Sequence, residues 1–358
     1  MGIPMKYVSR RTLLAGALVQ GQQPIVRFDR RIRIALIGME GHTGEILRPL
    51  TRLPDLELVA VAEPDEKAVA AARNPFISKA RRYTDYRRLL EREQLDLVAV
   101  CGPNGGRAER ILAAIERGLH VVAEKPLAIE MEELDRIEQA LKRSRVRLSM
   151  LLPMRFSPPY LALKEIVASG EIGEVAQINA QKSYKLGERA PWYHKRETYG
   201  GTIPWIGIHM VDLMRWATGR ELVEAVSFQT RFRFPELGDM ENVTGTLFRL
   251  DNGGTATLHM DYLRPQTAPT HGDDRLRLAG SKGVAEYQAA TGVTVVSETS
   301  KPRVIEKLPA ERSLLVDFLE SLYHGRPAAL SLEDILRANR IVLLARQSAE
   351  QHRIVKLS

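Results

Sequence analysis

A single cysteine, Cys101, stands among the 358 residues. An intramolecular disulfide framework and any multi-cysteine zinc or iron–sulfur site are therefore excluded. The eight histidines are scattered, with neither an H-x-x-x-H nor an H-E-x-x-H spacing, so no metal site is expected. No G-x-S-x-G nucleophile turn occurs, and no run of about 18 uninterrupted apolar residues suggests a membrane span. Strong basic charge is lacking as well, despite the formal +8. Residues 1–33 hold seven basic groups (Lys6, Arg10, Arg11, Arg27, Arg30, Arg31, Arg33) against Asp29, a net +6 that leaves only +2 for the remainder. A nearly balanced body does not have the charge excess of a nucleic-acid-binding domain, and no nucleic-acid partner is expected. What is present is an ordinary globular composition, 44% hydrophobic and 27% charged, long enough for two domains.

Ser9-Arg10-Arg11-Thr12-Leu13-Leu14, followed by a short, mildly apolar stretch to Val19, resembles a twin-arginine export signal. Cleavage near Gly21 and a periplasmic location follow as expectations. The competing reading is a cytoplasmic protein with a frayed arm and a chance Arg-Arg pair. Residues 1–30 are set aside from the fold on either reading.

Residues 31–37, RIRIALI, form an apolar run suited to a buried parallel strand. It ends in Gly38-Met39-Glu40-Gly41-His42-Thr43-Gly44, before a helix beginning near Glu45. Glycines between a strand and a helix let the backbone approach a pyrophosphate, and the helix start offers free N–H groups. The spacing is G-x-x-G-x-x-G rather than the commoner G-x-G-x-x-G. The next apolar run, Leu56–Ala62, ends at Glu63, where a carboxylate can accept from adenosine ribose hydroxyls and would repel a 2′-phosphate. This favours NAD over NADP; the competing reading of Glu63 is a solvated acid at a strand end. Helices expected over 67–73, 86–92, 107–117 and 131–143 alternate with strands over 95–100, 120–123 and 147–151. Such alternation implies a Rossmann-type, doubly wound parallel sheet over 31–151, with ligands at the carboxyl ends of the strands. Two turns lie there, Cys101-Gly102-Pro103-Asn104 and Glu124-Lys125-Pro126. Cys101 is expected to be a small packing residue.

These turns and their surroundings resemble the Gfo/Idh/MocA family of nicotinamide-dependent oxidoreductases from about Arg31 to the C-terminus. The resemblance rests on Tyr83-Thr84-Asp85-Tyr86, on 95–104 and on Gly118-Leu119-His120-Val121-Val122-Ala123-Glu124-Lys125-Pro126. It extends to Ser169-Gly170-Glu171-Ile172-Gly173-Glu174-Val175 and His209-Met210-Val211-Asp212. It implies that the lysine of the EKP turn, Lys125, contacts cofactor and substrate, and that His209 serves as acid/base at a carbinol or carbonyl. It also implies a carbohydrate-like substrate and a homo-oligomer. The first aspartate of the family's Asp-x-Gly-x-His-x-x-Asp segment is missing: Trp205 stands in its place. A carboxylate there would orient the histidine and raise its basicity. A tryptophan offers an apolar platform for a sugar face instead.

From 152 onward, strand-like alternation over 175–184, 225–234, 242–250 and 255–262, then 274–279, 283–287 and 293–296, implies an α+β domain with a large, mostly antiparallel sheet over 152–310. Apolar helical spacing near Leu314–Tyr323 and Leu332–Gln351 predicts helices over 311–358 that pack back on the body. The remaining substrate candidates are Arg155, expected to face the cleft, Tyr184, Trp192, His194 and His271. The stretch 187–201 is expected to cover the site.

The favoured activity is hydride transfer between NAD and a sugar, polyol or related cyclic carbinol. Two alternatives remain open. One is a redox-neutral glycosidase or lyase that keeps its NAD bound. The other is a relative that binds nucleotide or sugar without catalysis.

Overall fold

The structure, a computed structural model, describes residues 25–357; the Arg10-Arg11 leader and its expected cleavage point lie outside the described residues. The first layer is built from β1 (Ile32–Ile37), α1 (Thr43–Leu47), β2 (Leu56–Ala62), α2 (Glu66–Ala71), α3 (Pro75–Lys79) and β3 (Arg81–Tyr83). It continues through α4 (Tyr86–Arg92), β4 (Leu97–Val100), α5 (Arg107–Glu116), β5 (His120–Ala123), α6 (Met131–Lys142) and β6 (Leu148–Met150). All six strands pair in parallel in the order β3-β2-β1-β4-β5-β6. The order reverses at β1 and β4, and the crevice above that point is where a doubly wound sheet receives a ligand. β1, β4 and β5 carry almost uninterrupted apolar side chains because helices cover both sheet faces. Asp65, Asn74 and Asp85 cap the helices that follow them by accepting backbone N–H bonds, which fixes where the chain turns.

The second domain contains α7 (Pro158–Ala168), β7 (Val175–Lys185), α8 (Arg196–Tyr199), a π-turn over Ile203–Gly207 and α9 (Ile208–Thr218). β8 (Leu222–Thr230), β9 (Val243–Leu250), β10 (Thr255–Arg264), β11 (Gly272–Gly280), β12 (Gly283–Gln288), β13 (Gly292–Ser297) and β14 (Ser300–Val304) follow. The chain closes with α10 (Leu314–Tyr323), α11 (Leu332–Gln351) and β15 (Val355–Lys356). The nine-stranded sheet runs β14-β13-β12-β11-β7-β10-β9-β8-β15 and is antiparallel except where β7 meets β10. Its inner face packs on α7, α9 and α11, and its outer face leaves Phe228, Leu247 and Leu263 exposed. Among the described residues no helix is long and apolar enough to cross a membrane.

Three departures from the sequence reading have local causes. α3 and β3 were hidden because the segment between Asn74 and Tyr83 is short and charged, and only its Asn-Pro start marks a helix. The strand expected over 225–234 stops at Thr230, beyond which Arg233 adopts φ 61°. Phe28, set aside with the leader, is buried against Tyr323 and His324 (ring centroids 5.7 and 5.1 Å apart), tying the start of the described chain to the end of α10.

Candidate active site

The glycine turn after β1 is shaped by close approaches. Gly38 has φ +81°, and a Cβ there would lie 2.4 Å from Gly102 Cα. Gly41 has φ +69°, and a Cβ there would lie 2.2 Å from Glu124 Oε1. Both positions demand glycine on conformation and on space. The three ligand-facing turns, 38–44, 101–104 and 124–126, therefore interlock. The Glu40 N–H donates to the Cys101 carbonyl at 2.6 Å, and the His42 N–H donates to the Glu124 carboxylate. Met39 packs on the core, while Thr43 and Gly44 open α1. Glu63 sits one residue beyond β2, its Oε1 accepting the Asp65 N–H at 3.0 Å. The cradle of backbone at Gly38 and Gly41, with an acid at the end of β2, fits the diphosphate and ribose of a dinucleotide.

Glu124 is fully buried. Its Oε1 meets His42 Nδ1 at 2.5 Å, and its Oε2 accepts the Lys125 N–H at 2.7 Å. Burial alone would raise this carboxyl, but His42, Lys125 and Arg107 together pull it down to about 2. The Lys125 side chain turns away from that carboxylate. Its Nζ donates to the Trp205 carbonyl at 2.6 Å and rests 3.3 Å from the Trp205 ring centroid. Burial pushes the Lys125 amine down to about 7; Glu124 opposes this, while Arg107 and Lys182 add to it. His209 lies on the first turn of α9, its ring 5.2 Å from that of His42, and its buried Nδ1 has no hydrogen-bond partner among the described residues. Burial, with the charges of Lys125, Lys182 and His42, drives it well below the usual imidazole range, so the ring is neutral.

The structure therefore gathers Lys125, His209, His42, Glu124 and Trp205 at one point above the sheet, and it corrects the expected roles of three residues. Trp205 is not an open platform for a sugar: one face carries the Lys125 ammonium, and Trp192 and Tyr193 pack edge-on at 5.5 and 5.9 Å. Arg155 does not face the cleft. It is buried in an ion-pair cluster with Asp212 (Nε–Oδ2 3.0 Å) and Asp334 (Nη1–Oδ2 3.2 Å), which joins the end of the first domain to α9 and α11. The Asn104 amide turns into the protein, donating to the Tyr199 carbonyl at 2.7 Å and accepting from Arg107 at 2.8 Å. Pro103 offers its carbonyl to Arg110 at 3.5 Å, and Gly102 offers its own to Arg107 at 2.7 Å. Tyr184 and His271 do meet, stacked at 5.1 Å on the wall formed by the second domain. The stretch 187–201 lies over the first domain, where the Gly105 N–H donates to the Thr198 carbonyl at 2.9 Å.

Three contributors escape the sequence reading. Arg107 opens α5 and is fully buried; its guanidinium bonds the carbonyls of Pro126 (2.6 Å) and Gly102, clamping two ligand-facing turns together. Lys182 is buried on the inner face of β7, its Nζ 2.7 Å from Asp274 Oδ2 on β11. Burial would lower this amine, but Tyr184 and Asp274 raise it above its ordinary value. The signal for Lys182 was a lysine in register with Ile178 and Ala180, on the face that alternation assigns to the core. Asp274 has no local signal, because only strand pairing brings it there.

Comparison with known proteins agrees with this geometry. Residues 32–152 match the oxidoreductase family with an NAD-binding Rossmann fold, and residues 160–286 match the GFO/IDH/MocA C-terminal domain. An oxidoreductase structure from Thermotoga maritima superposes with TM-score 0.85 at 32% identity, covering 91% of this chain and 100% of that one. A D-xylose 1-dehydrogenase (NADP(+)) from Haloferax volcanii is 28% identical over 333 residues, 90% of this chain and 98% of that one. Myo-inositol 2-dehydrogenase from Thermotoga maritima is 26% identical over 346 residues, 91% and 98% of the two chains. With both domains matched and the nicotinamide-type cradle in place, the chain belongs to the Gfo/Idh/MocA family of NAD(P)-dependent oxidoreductases.

Proposed function

We propose that the protein is an NAD-dependent dehydrogenase that oxidises a carbinol of a sugar or polyol. The observation that carries this reading is Lys125: a buried amine with a pKa near 7, at the mouth of the nucleotide cradle and beside a neutral histidine. A nicotinamide bound there supplies a two-electron acceptor for the carbinol C–H. The chain does the rest. In its neutral form the Lys125 Nζ takes the hydroxyl proton, and as an ammonium it stabilises charge developing on the oxygen. The Trp205 carbonyl and ring hold that amine in place. His209 presents a desolvated Nδ1 to the same point, suited to orient the hydroxyl. Glu63 supports NAD over NADP: its carboxylate would repel a 2′-phosphate, and no basic residue immediately follows it. The names of the xylose and inositol dehydrogenases above support the substrate class.

The outer face of the second sheet, with Phe228, Leu247 and Leu263 exposed, serves in this reading as the contact between copies of the chain. Export through the Arg10-Arg11 leader completes it, with the protein crossing folded and its cofactor bound. The reading is tested by incubating purified protein with NAD or NADP and a panel of sugars and polyols while following reduced-cofactor absorbance. Turnover with NAD and at least one carbohydrate is expected. Absence of any nucleotide binding by calorimetry would overturn the assignment.

A further inference from the structure

The cleft carries more positive charge than the reaction requires. Lys125 has the ionised Glu124 beside it, and Lys182, a second cation, is paired with Asp274. A third, Arg189, has no carboxylate within 4.0 Å among the described residues. Its Nη2 donates to the Lys185 carbonyl at 3.0 Å, its guanidinium lies 4.6 Å from the Tyr262 ring centroid and 5.3 Å from that of Tyr193, and its buried Nε has no partner. Among the other buried or half-buried arginines, Arg155, Arg196, Arg215 and Arg346 each meet a carboxylate, while Arg107 and Arg110 are held by backbone carbonyls of the ligand-facing turns.

Arg189 is also placed over the substrate side rather than in the packing behind it. Tyr262 and Tyr184 lie side by side on the inner wall, their centroids 6.2 Å apart. Lys182 lies 5.2 Å from the Tyr184 ring, His271 stacks on that ring, and Tyr193 packs on Trp205 beneath Lys125. The two cations thus flank one aromatic wall whose lower end is the Lys125–His209 pair. His271 is pushed down by burial and by the charges of Arg189 and Lys185, with Asp274 acting against them, so the cations prevail at this wall. The Arg189 guanidinium, near two aromatic rings and with its Nε–H unpartnered, retains N–H donors that suit a planar carboxylate.

We propose that the substrate is a sugar acid, whose carboxylate docks on the N–H edge of Arg189 within the field of Lys182 while its reacting carbinol lies against Lys125 and His209. This rests on the dehydrogenase reading above and narrows it from carbohydrates in general to those bearing a carboxylate.

The test compares glucuronate and galacturonate with glucose, galactose, myo-inositol and glucose 6-phosphate, by turnover with NAD and by calorimetric titration into the protein with NADH bound. At least one uronate is expected to exceed its neutral parent about 10–100-fold in kcat/KM and in affinity, the range of one charge-assisted, two-point contact. The advantage should shrink as salt is raised. Arg189→Met should remove most of it through KM at an unchanged melting temperature, and Arg189→Lys should restore part. Neutral sugars bound or turned over as well as uronates would overturn the proposal, as would a preference for the phosphate ester or an Arg189→Met variant that keeps the discrimination. Arg189-dependent uronate binding without turnover would sustain it while refuting the dehydrogenase reading.

Discussion

Each domain sends one buried lysine into the cleft, and the two are held in opposite ways. Lys125 sits beside a carboxylate that is already committed to His42 and to a backbone N–H, so its amine has only a carbonyl and an aromatic face, and burial lowers its pKa to about 7. Lys182 faces Asp274 directly and keeps its proton. Equal burial therefore does not mean equal chemistry: the direction in which the nearest carboxylate points decides whether a lysine can move a proton or serves as a fixed charge.

The sharpest way to break this contrast is Lys125→Met, which should lower kcat by about 10²–10⁴-fold and leave NAD affinity, measured by calorimetry, little changed. Loss of nucleotide binding instead would make Lys125 part of the cradle and remove its role as proton carrier. Lys182→Met should act chiefly on stability. It strands Asp274 against the core, and thermal unfolding should report about 1–3 kcal/mol lost, with part recovered in the Lys182→Met/Asp274→Leu double variant. An unchanged melting temperature would mean that the pair is solvated in solution.

Gly41→Ala probes the cradle itself. The new Cβ meets Glu124 Oε1 and needs a left-handed backbone that costs about 1–2 kcal/mol, so NAD affinity should fall about tenfold. The pH dependence of stability probes the same two groups. The Lys125 pKa is lower folded than unfolded, so between about 7 and 10.5 the unfolded chain binds the extra proton and stability rises with pH. Glu124 works at the other end: its carboxyl is depressed from 4.5 to about 2, and its contribution, full above 4.5, is lost as pH falls towards 2. Equilibrium unfolding of the wild type against Lys125→Met should show the alkaline slope only in the wild type.

The contrast between the domains also explains what the sequence could reveal. The first domain places its site in turns: Gly38–Gly44, Gly102–Asn104 and Glu124–Pro126 are contiguous, and glycine and proline announce them. The second domain places its site on a sheet face, where Lys182, Tyr184, Tyr262 and Asp274 are brought together only by the register of β7, β10 and β11. Period-two alternation located the strands but could not tell which strand lies beside which. Arg155 misled for a related reason: its position after β6 pointed to the cleft, whereas Asp212 and Asp334, both distant in sequence, draw it into the packing. Trp205 was identifiable as a departure, but its partner was not, since the contact with Lys125 spans 80 residues.

The most direct test of the central claim is the pH profile of kcat for carbinol oxidation in the wild type and in Lys182→Met. The account predicts that the rate rises with a midpoint near 7 as Lys125 loses its proton, with the ionisation heat of an amine rather than an imidazole. It also predicts that the midpoint moves upward when the neighbouring charge of Lys182 is removed. A midpoint near 10.5, or one that does not move in Lys182→Met, would contradict it.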